Sequence, residues 1–213
     1  MIVTPRVREE ARKYFNCPTL EGAEIENQGG PGTAGSHWEK RVLENEAMSG
    51  VATQVYAVSR ITLALFEDSG WYQVNYDKAE NMTWGKGLGC DFVKKSCLSW
   101  MLREEGPYPF CTLMGSMTCN ANRKSKVLCN FVQGDDIPEE YDYNRKGVYT
   151  DRRGDEVHGL GSEMTADYCP YYRKRPDGFQ QLVARVYYMP KNPDVADSVS
   201  QPLFWFSFVK ILV

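Results

Sequence analysis

Gly29-Gly30-Pro31-Gly32-Thr33-Ala34-Gly35-Ser36-His37-Trp38-Glu39, followed shortly by Glu44-Asn45-Glu46-Ala47-Met48-Ser49-Gly50, is the stretch on which the reading of this 213-residue chain turns. Its glycines and proline predict a loop, because both residue types break regular helix and strand. From Gly30 to Gly35 the loop has the outline of a phosphate loop. It then fails, since Ser36-His37 stands where a lysine and a serine or threonine are needed. Gly85-x-Gly87-x-Gly89 likewise misses the dinucleotide spacing and follows no clear strand. Only His37 is left as a chemical group, and its sole companion histidine is His158. Two imidazoles cannot supply a three-histidine metal site, and no H-E-x-x-H or G-x-S-x-G run is present. On composition alone, His37 is more readily an ordinary histidine than a ligand.

Working outward, the apolar fraction of 42% and the aromatic fraction of 13% predict a globular chain with a real core. Lys and Arg number 25 against 28 Asp and Glu, a net charge of −3, which leaves no basic surplus for a nucleic-acid partner. Cysteines at 17, 90, 97, 111, 119, 129 and 169 form no C-x-x-C pair. Their wide, irregular spacing suits a disulfide framework made in an oxidising compartment. The sequon Asn81-Met82-Thr83 agrees, making Asn81 a glycosylation candidate. An odd cysteine count and the absence of an apolar leader at Met1–Arg6 lead us to expect a piece of something longer.

A helix is expected over residues 4–15, with Thr4 as cap, Pro5 at the first position, and Val7, Ala11, Tyr14 and Phe15 as its buried stripe. A second is expected from about Gln54 to Asp68, stopped by Gly70, and Trp71–Tyr76 is a short run with strand propensity. Trp84–Cys90 must be loop. From Cys90 to Cys169 we expect irregular, cross-linked structure. Gln181–Met189 has strand propensity, and the apolar end Leu203–Val213 is too short to cross a bilayer, which takes about 20 helical residues.

The context of His37 adds a resemblance. Gly35-Ser36-His37-Trp38-Glu39 with Met48 eleven residues on resembles the leishmanolysin family, a branch of the metzincin metallopeptidases. Ala11–Pro18, Ser59–Tyr72, Trp84–Cys90 and Ala166–Pro170 match the family as well, so the resemblance runs from about residue 5 to 172. It is greatest to the leishmanolysin-like peptidases of multicellular organisms. The resemblance implies that His37 is the third zinc ligand and that Met48 forms the methionine turn beneath the metal. It also implies the pairs Cys17–Cys90, Cys97–Cys169 and Cys111–Cys129, with Cys119 left unpaired in this chain.

Several expectations follow from the resemblance. The fold should be α+β: the C-terminal part of a metzincin catalytic domain followed by a disulfide-stapled, loop-rich subdomain. Residues 1–70 would be the remnant of the active-site subdomain, 71–172 the cysteine-rich part and 173–213 a divergent tail. The family activity is zinc-dependent proteolysis of protein or peptide substrates, in an extracellular or cell-surface setting, with membrane association through the parent protein. The H-E-x-x-H helix lies upstream of Met1 in family members, so this chain alone should be inactive. Glu39 and Glu46 are expected to be solvated or structural. The competing reading is a non-catalytic extracellular cysteine-rich binding module.

Overall fold

The computed structural model describes residues 1–120, 125–135, 137–144 and 147–174. The segments 181–189 and 203–213, on which two of the expectations above fall, lie outside the described residues. The fold is α+β. Helix α1 (Pro5–Phe15) starts with Pro5 in its first turn and ends at Asn16, which takes the left-handed conformation that closes many helices. Val7, Ala11 and Phe15 bury completely or nearly so. The expected Thr4 cap is corrected: the Thr4 side chain makes no capping bond. Asp68 caps the helix across the fold instead, accepting the backbone N–H groups of Arg6 (2.9 Å) and Val7 (3.0 Å).

Asp68 ends helix α3 (Arg60–Asp68), which packs along α1; the four-residue α2 (Lys40–Leu43) lies between them in sequence. The expected start of this helix at Gln54 is also corrected. Tyr56 adopts φ 55°, Ala57 exchanges hydrogen bonds with Asn45 and Ala47, and Ser59 caps the helix by accepting the N–H of Thr62. Residues 54–58 are therefore drawn into a ladder that competes with helix. Gly70 does supply the stop, at φ 73°. Trp71–Tyr76 is not a strand. Among the described residues no strand lies beside it to pair with, Trp71 is 84% exposed, and Asn75 opens a 3-10 turn over Tyr76–Lys78. Residues with strand propensity do not make a strand without a partner.

Beyond it come the short α-helices α4 (Cys90–Lys94) and α5 (Cys97–Met101). Then come β1 (Met117–Cys119), β2 (Lys126–Cys129), β3 (Phe131–Gln133), β4 (Gly159–Gly161) and β5 (Tyr172–Arg173). The strands form an antiparallel sheet of order β1-β2-β5 and a β3-β4 pair. Disulfides join Cys17 to Cys90, Cys97 to Cys169, and Cys111 to Cys129, the same three pairs the resemblance implies. Cys119 is free and exposed.

One buried cluster runs from Val7, Phe15 and Leu43 through Phe92, Trp100 and Phe110 to Tyr171. Its aromatic rings meet edge-to-face or stacked, Phe92 lying 5.1 Å from Trp100 and 5.8 Å from Phe110, arrangements that add to simple area burial. The loop at Trp84–Gly89 closes over this cluster. A side chain at Gly85, whose φ is 73°, would lie 2.5 Å from the Phe92 ring, so only glycine fits there.

Candidate metal-ligand site

His37 lies on the central one of three extended segments set side by side. Glu26 donates its N–H to the carbonyl of His37 (2.9 Å), and Glu39 donates to that of Glu24 (3.1 Å). On the other side Trp38 donates to the carbonyl of Met48 (3.0 Å), with Trp38 bridging Ser49 in parallel. The residues after His37 are thus held against the Met48 turn by backbone bonds. Both His37 and Met48 line a cleft of about 220 Å³ whose remaining walls include Ile25, Trp38, Leu65 and Phe66. The resemblance paired His37 with Met48, and the structure brings them to one cleft. His158 is exposed and stands elsewhere.

The loop preceding His37 sets the chemistry of its ring. Gly29, Gly30, Gly32 and Gly35 all take positive φ, which lets the chain turn back so that Gly35 N–H meets the Glu26 carbonyl (2.8 Å). His37 Nδ1 then lies 3.1 Å from the Thr33 carbonyl and 3.0 Å from Ser36 Oγ. A carbonyl oxygen can only accept, so the tautomer that makes this contact carries its proton on Nδ1. Nε2 is left as the lone-pair nitrogen, the form in which imidazole binds metals. Gly50 packs beneath the loop; a Cβ there would collide with Thr33 Cγ2 and sit 3.7 Å from His37 Cβ. Crowding therefore demands glycine at Gly50, whereas Gly30, Gly32 and Gly35 face open space and are needed for conformation alone.

The two acids near this loop, expected to be solvated or structural, are both buried and hydrogen-bonded, which is the structural arm of that expectation. Glu46 is fully buried. It accepts the N–H of Met48, both N–H (3.0 Å) and Oγ–H (2.8 Å) of Ser59, and the hydroxyl of Thr62. Burial pushes its carboxyl up, against the pull of those donors. Glu39 accepts the N–H of Arg41 (3.0 Å). Burial, followed by the neighbouring charges of Asp167 and Glu26, pushes it up to about 8. Neither lines the cleft with His37.

Arg41 ties this frame to the cysteine-rich half. Its guanidinium donates to Asp167 (3.0 Å), to Glu24 (2.9 Å) and to the carbonyls of Phe92 and Lys95. Asp167 in turn accepts from Gln28 at the base of the His37 loop (3.2 Å). Sequence reasoning did not find Thr33, Thr62, Arg41 or Asp167. Thr33 acts through its backbone carbonyl, which no residue type signals, and the others meet across wide sequence separations.

Among the described residues no group of three or more His, Cys, Asp and Glu side chains gathers as a metal site. Among the same residues no helix is long and apolar enough to cross a membrane. Asn81 is exposed, and Cys119 sits on β1, at the edge of its sheet.

The leishmanolysin family model matches residues 1–201. The chain belongs to the leishmanolysin family, a family of metallopeptidases. It is 48% identical over 183 residues to the leishmanolysin-like peptidase of Drosophila pseudoobscura pseudoobscura, covering 82% of this chain and 27% of that relative. The leishmanolysin-like peptidase of Caenorhabditis elegans is 48% identical over 189 residues, 82% of this chain and 28% of that protein. The leishmanolysin of Leishmania chagasi is 35% identical over 170 residues, 79% of this chain and 26% of that protein. The chain thus spans roughly a quarter of the length of these relatives. The family match continues past residue 172, where the motifs quoted from the sequence stop.

Proposed function

We propose that this chain is the portion of a zinc-dependent metalloendopeptidase that supplies the third metal ligand and the methionine turn, and that by itself it does not cleave peptides. One observation carries the proposal: Nδ1 of His37 is engaged by the Thr33 carbonyl, which leaves Nε2 as the lone-pair nitrogen. His37 is the ligand in this reading, and Met48 is an apolar floor to the cleft that makes no bond to the metal. The metal's contribution in such enzymes is Lewis acidity and a bound water made nucleophilic near neutral pH. The remaining ligands and the general base would come from an H-E-x-x-H helix in the rest of the protein. Glu46 is no substitute base, because Met48, Ser59 and Thr62 occupy its oxygens.

Protein or peptide substrates, an extracellular or cell-surface location, and membrane association through the parent protein belong to the same proposal. So do a glycan on Asn81 and a partner for Cys119 elsewhere in the parent. The test is activity with and without a zinc chelator. The full-length protein should show chelator-sensitive endopeptidase activity that His37→Ala abolishes, and the 213-residue chain should show none. Chelator-sensitive cleavage by the purified chain would refute the proposal. The three disulfides and the single ligand also fit a second reading, a secreted binding module with no catalytic role. Sequencing the transcript upstream of Met1 separates the two: an in-frame H-E-x-x-H run favours the peptidase, and a leader with no such run favours the module.

A further inference from the structure

We infer that Glu46 and Thr62 are positioning residues, a buried brace that holds the Met48 turn and the His37–Trp38 segment in one fixed relation. The inference rests on the reading of His37 as a metal ligand for its functional meaning, though its geometry stands apart from that reading. Three sets of hydrogen bonds meet at one carboxylate. One oxygen of Glu46 accepts the Met48 N–H, while the Met48 carbonyl accepts the Trp38 N–H, so both faces of the Met48 peptide are tied. The other oxygen accepts Ser59 N–H and Oγ–H, which locks the start of α3 onto the turn.

The third tie is directional. Trp38 Nε1 donates to Thr62 Oγ1 at 2.7 Å, and Thr62 Oγ1 donates onward to Glu46. An indole N–H can only donate, so the Thr62 hydroxyl must accept from it and pass its own proton toward the carboxylate. The indole next to His37 is thereby oriented by a group that also holds Met48. Glu46 is 0% exposed, Thr62 1% and Trp38 3%, so no water can replace a missing partner. A carboxylate is the one side chain that accepts from all four donors at once. A carboxamide would turn a donor toward one of them.

This predicts a signature separate from folding. In Glu46→Gln, amide exchange at Met48 should accelerate about tenfold or more, the effect of losing a bond to a buried charged acceptor. The Trp38 indole N–H and His37 ring resonances should shift in the same variant. Thr62→Val cuts only the relay, so it should move the Trp38 and His37 signals while leaving Met48 exchange near wild type. Thr62→Ser keeps the hydroxyl and should return the Trp38 and His37 signals to their wild-type positions. If Glu46→Gln does not fold, the Thr62 pair still decides. In the full-length protein, Glu46→Gln should weaken zinc binding about 10- to 100-fold, as loss of outer-sphere partners does.

Trp38 and His37 signals that are unmoved in Thr62→Val, or unrestored in Thr62→Ser, would overturn the brace. Shifted signals in the chain, together with a wild-type full-length protein that binds no zinc, would leave the brace standing and remove the metallopeptidase reading.

Discussion

Two regions of this chain solve the same problem by opposite means. Around the His37 loop, buried charged and polar side chains do the holding: Glu26, Glu39, Lys40, Arg41, Glu44 and Glu46 are all buried within 21 positions. Beyond Cys97, the chain relies on two disulfides, short sheets and clustered aromatic rings. Buried ion pairs are costly to desolvate and contribute little net stability, but removing one partner is severe. Disulfides contribute stability chiefly by restricting the unfolded chain. The difference suggests that the first region is organised for position and the second for persistence.

The largest effects should come from the staples. Replacing Cys97 and Cys169 by Ala opens a closure of 72 residues and should cost about 4 kcal/mol, against about 3 for the 18-residue closure at Cys111–Cys129. Chemical denaturation of the two variants reads the contrast, and equal losses would break the loop-length argument. Next is Arg41→Met. It strands the Asp167 and Glu24 carboxylates and should cost about 3 kcal/mol by the same measurement. A loss near zero would mean that the charged frame is dispensable.

A smaller, pH-dependent effect should come from Glu39. Its carboxyl is raised from the ordinary 4.5 to about 8, so the folded protein keeps a proton that the unfolded chain has released. Stability is then fully present below about 4.5 and falls as pH rises toward about 8. Melting temperatures across that window should decline in the wild type and decline less in Glu39→Gln. Identical slopes would show that the group does not titrate as described. The smallest effect should be Asp68→Ala, which removes the cross-fold cap of α1 and should cost about 1 kcal/mol.

What the sequence made legible divides along the same line. The α1 stripe, the Gly70 stop, the nearness of His37 to Met48 and the three disulfides were readable from local pattern, spacing and resemblance. The cap from Asp68, the Tyr56 backbone turn and the absent strand at Trp71 were not, because each depends on what the rest of the fold offers. Ser59 and Thr62 were visible as helix residues but not as donors to Glu46, 13 and 16 positions away. The buried state of Glu39 and Glu46 ran against the ordinary preference of carboxylates for water, and it is at the candidate site that the preference failed.

In the proposed function this chain brings a single donor to a metal centre that needs several. Zinc per chain, measured by mass spectrometry after dialysis of the purified 213-residue chain against micromolar zinc and then metal-free buffer, tests it most directly. Retention far below one equivalent is the expected result. One equivalent held tightly, with His37→Ala retaining just as much, would contradict it.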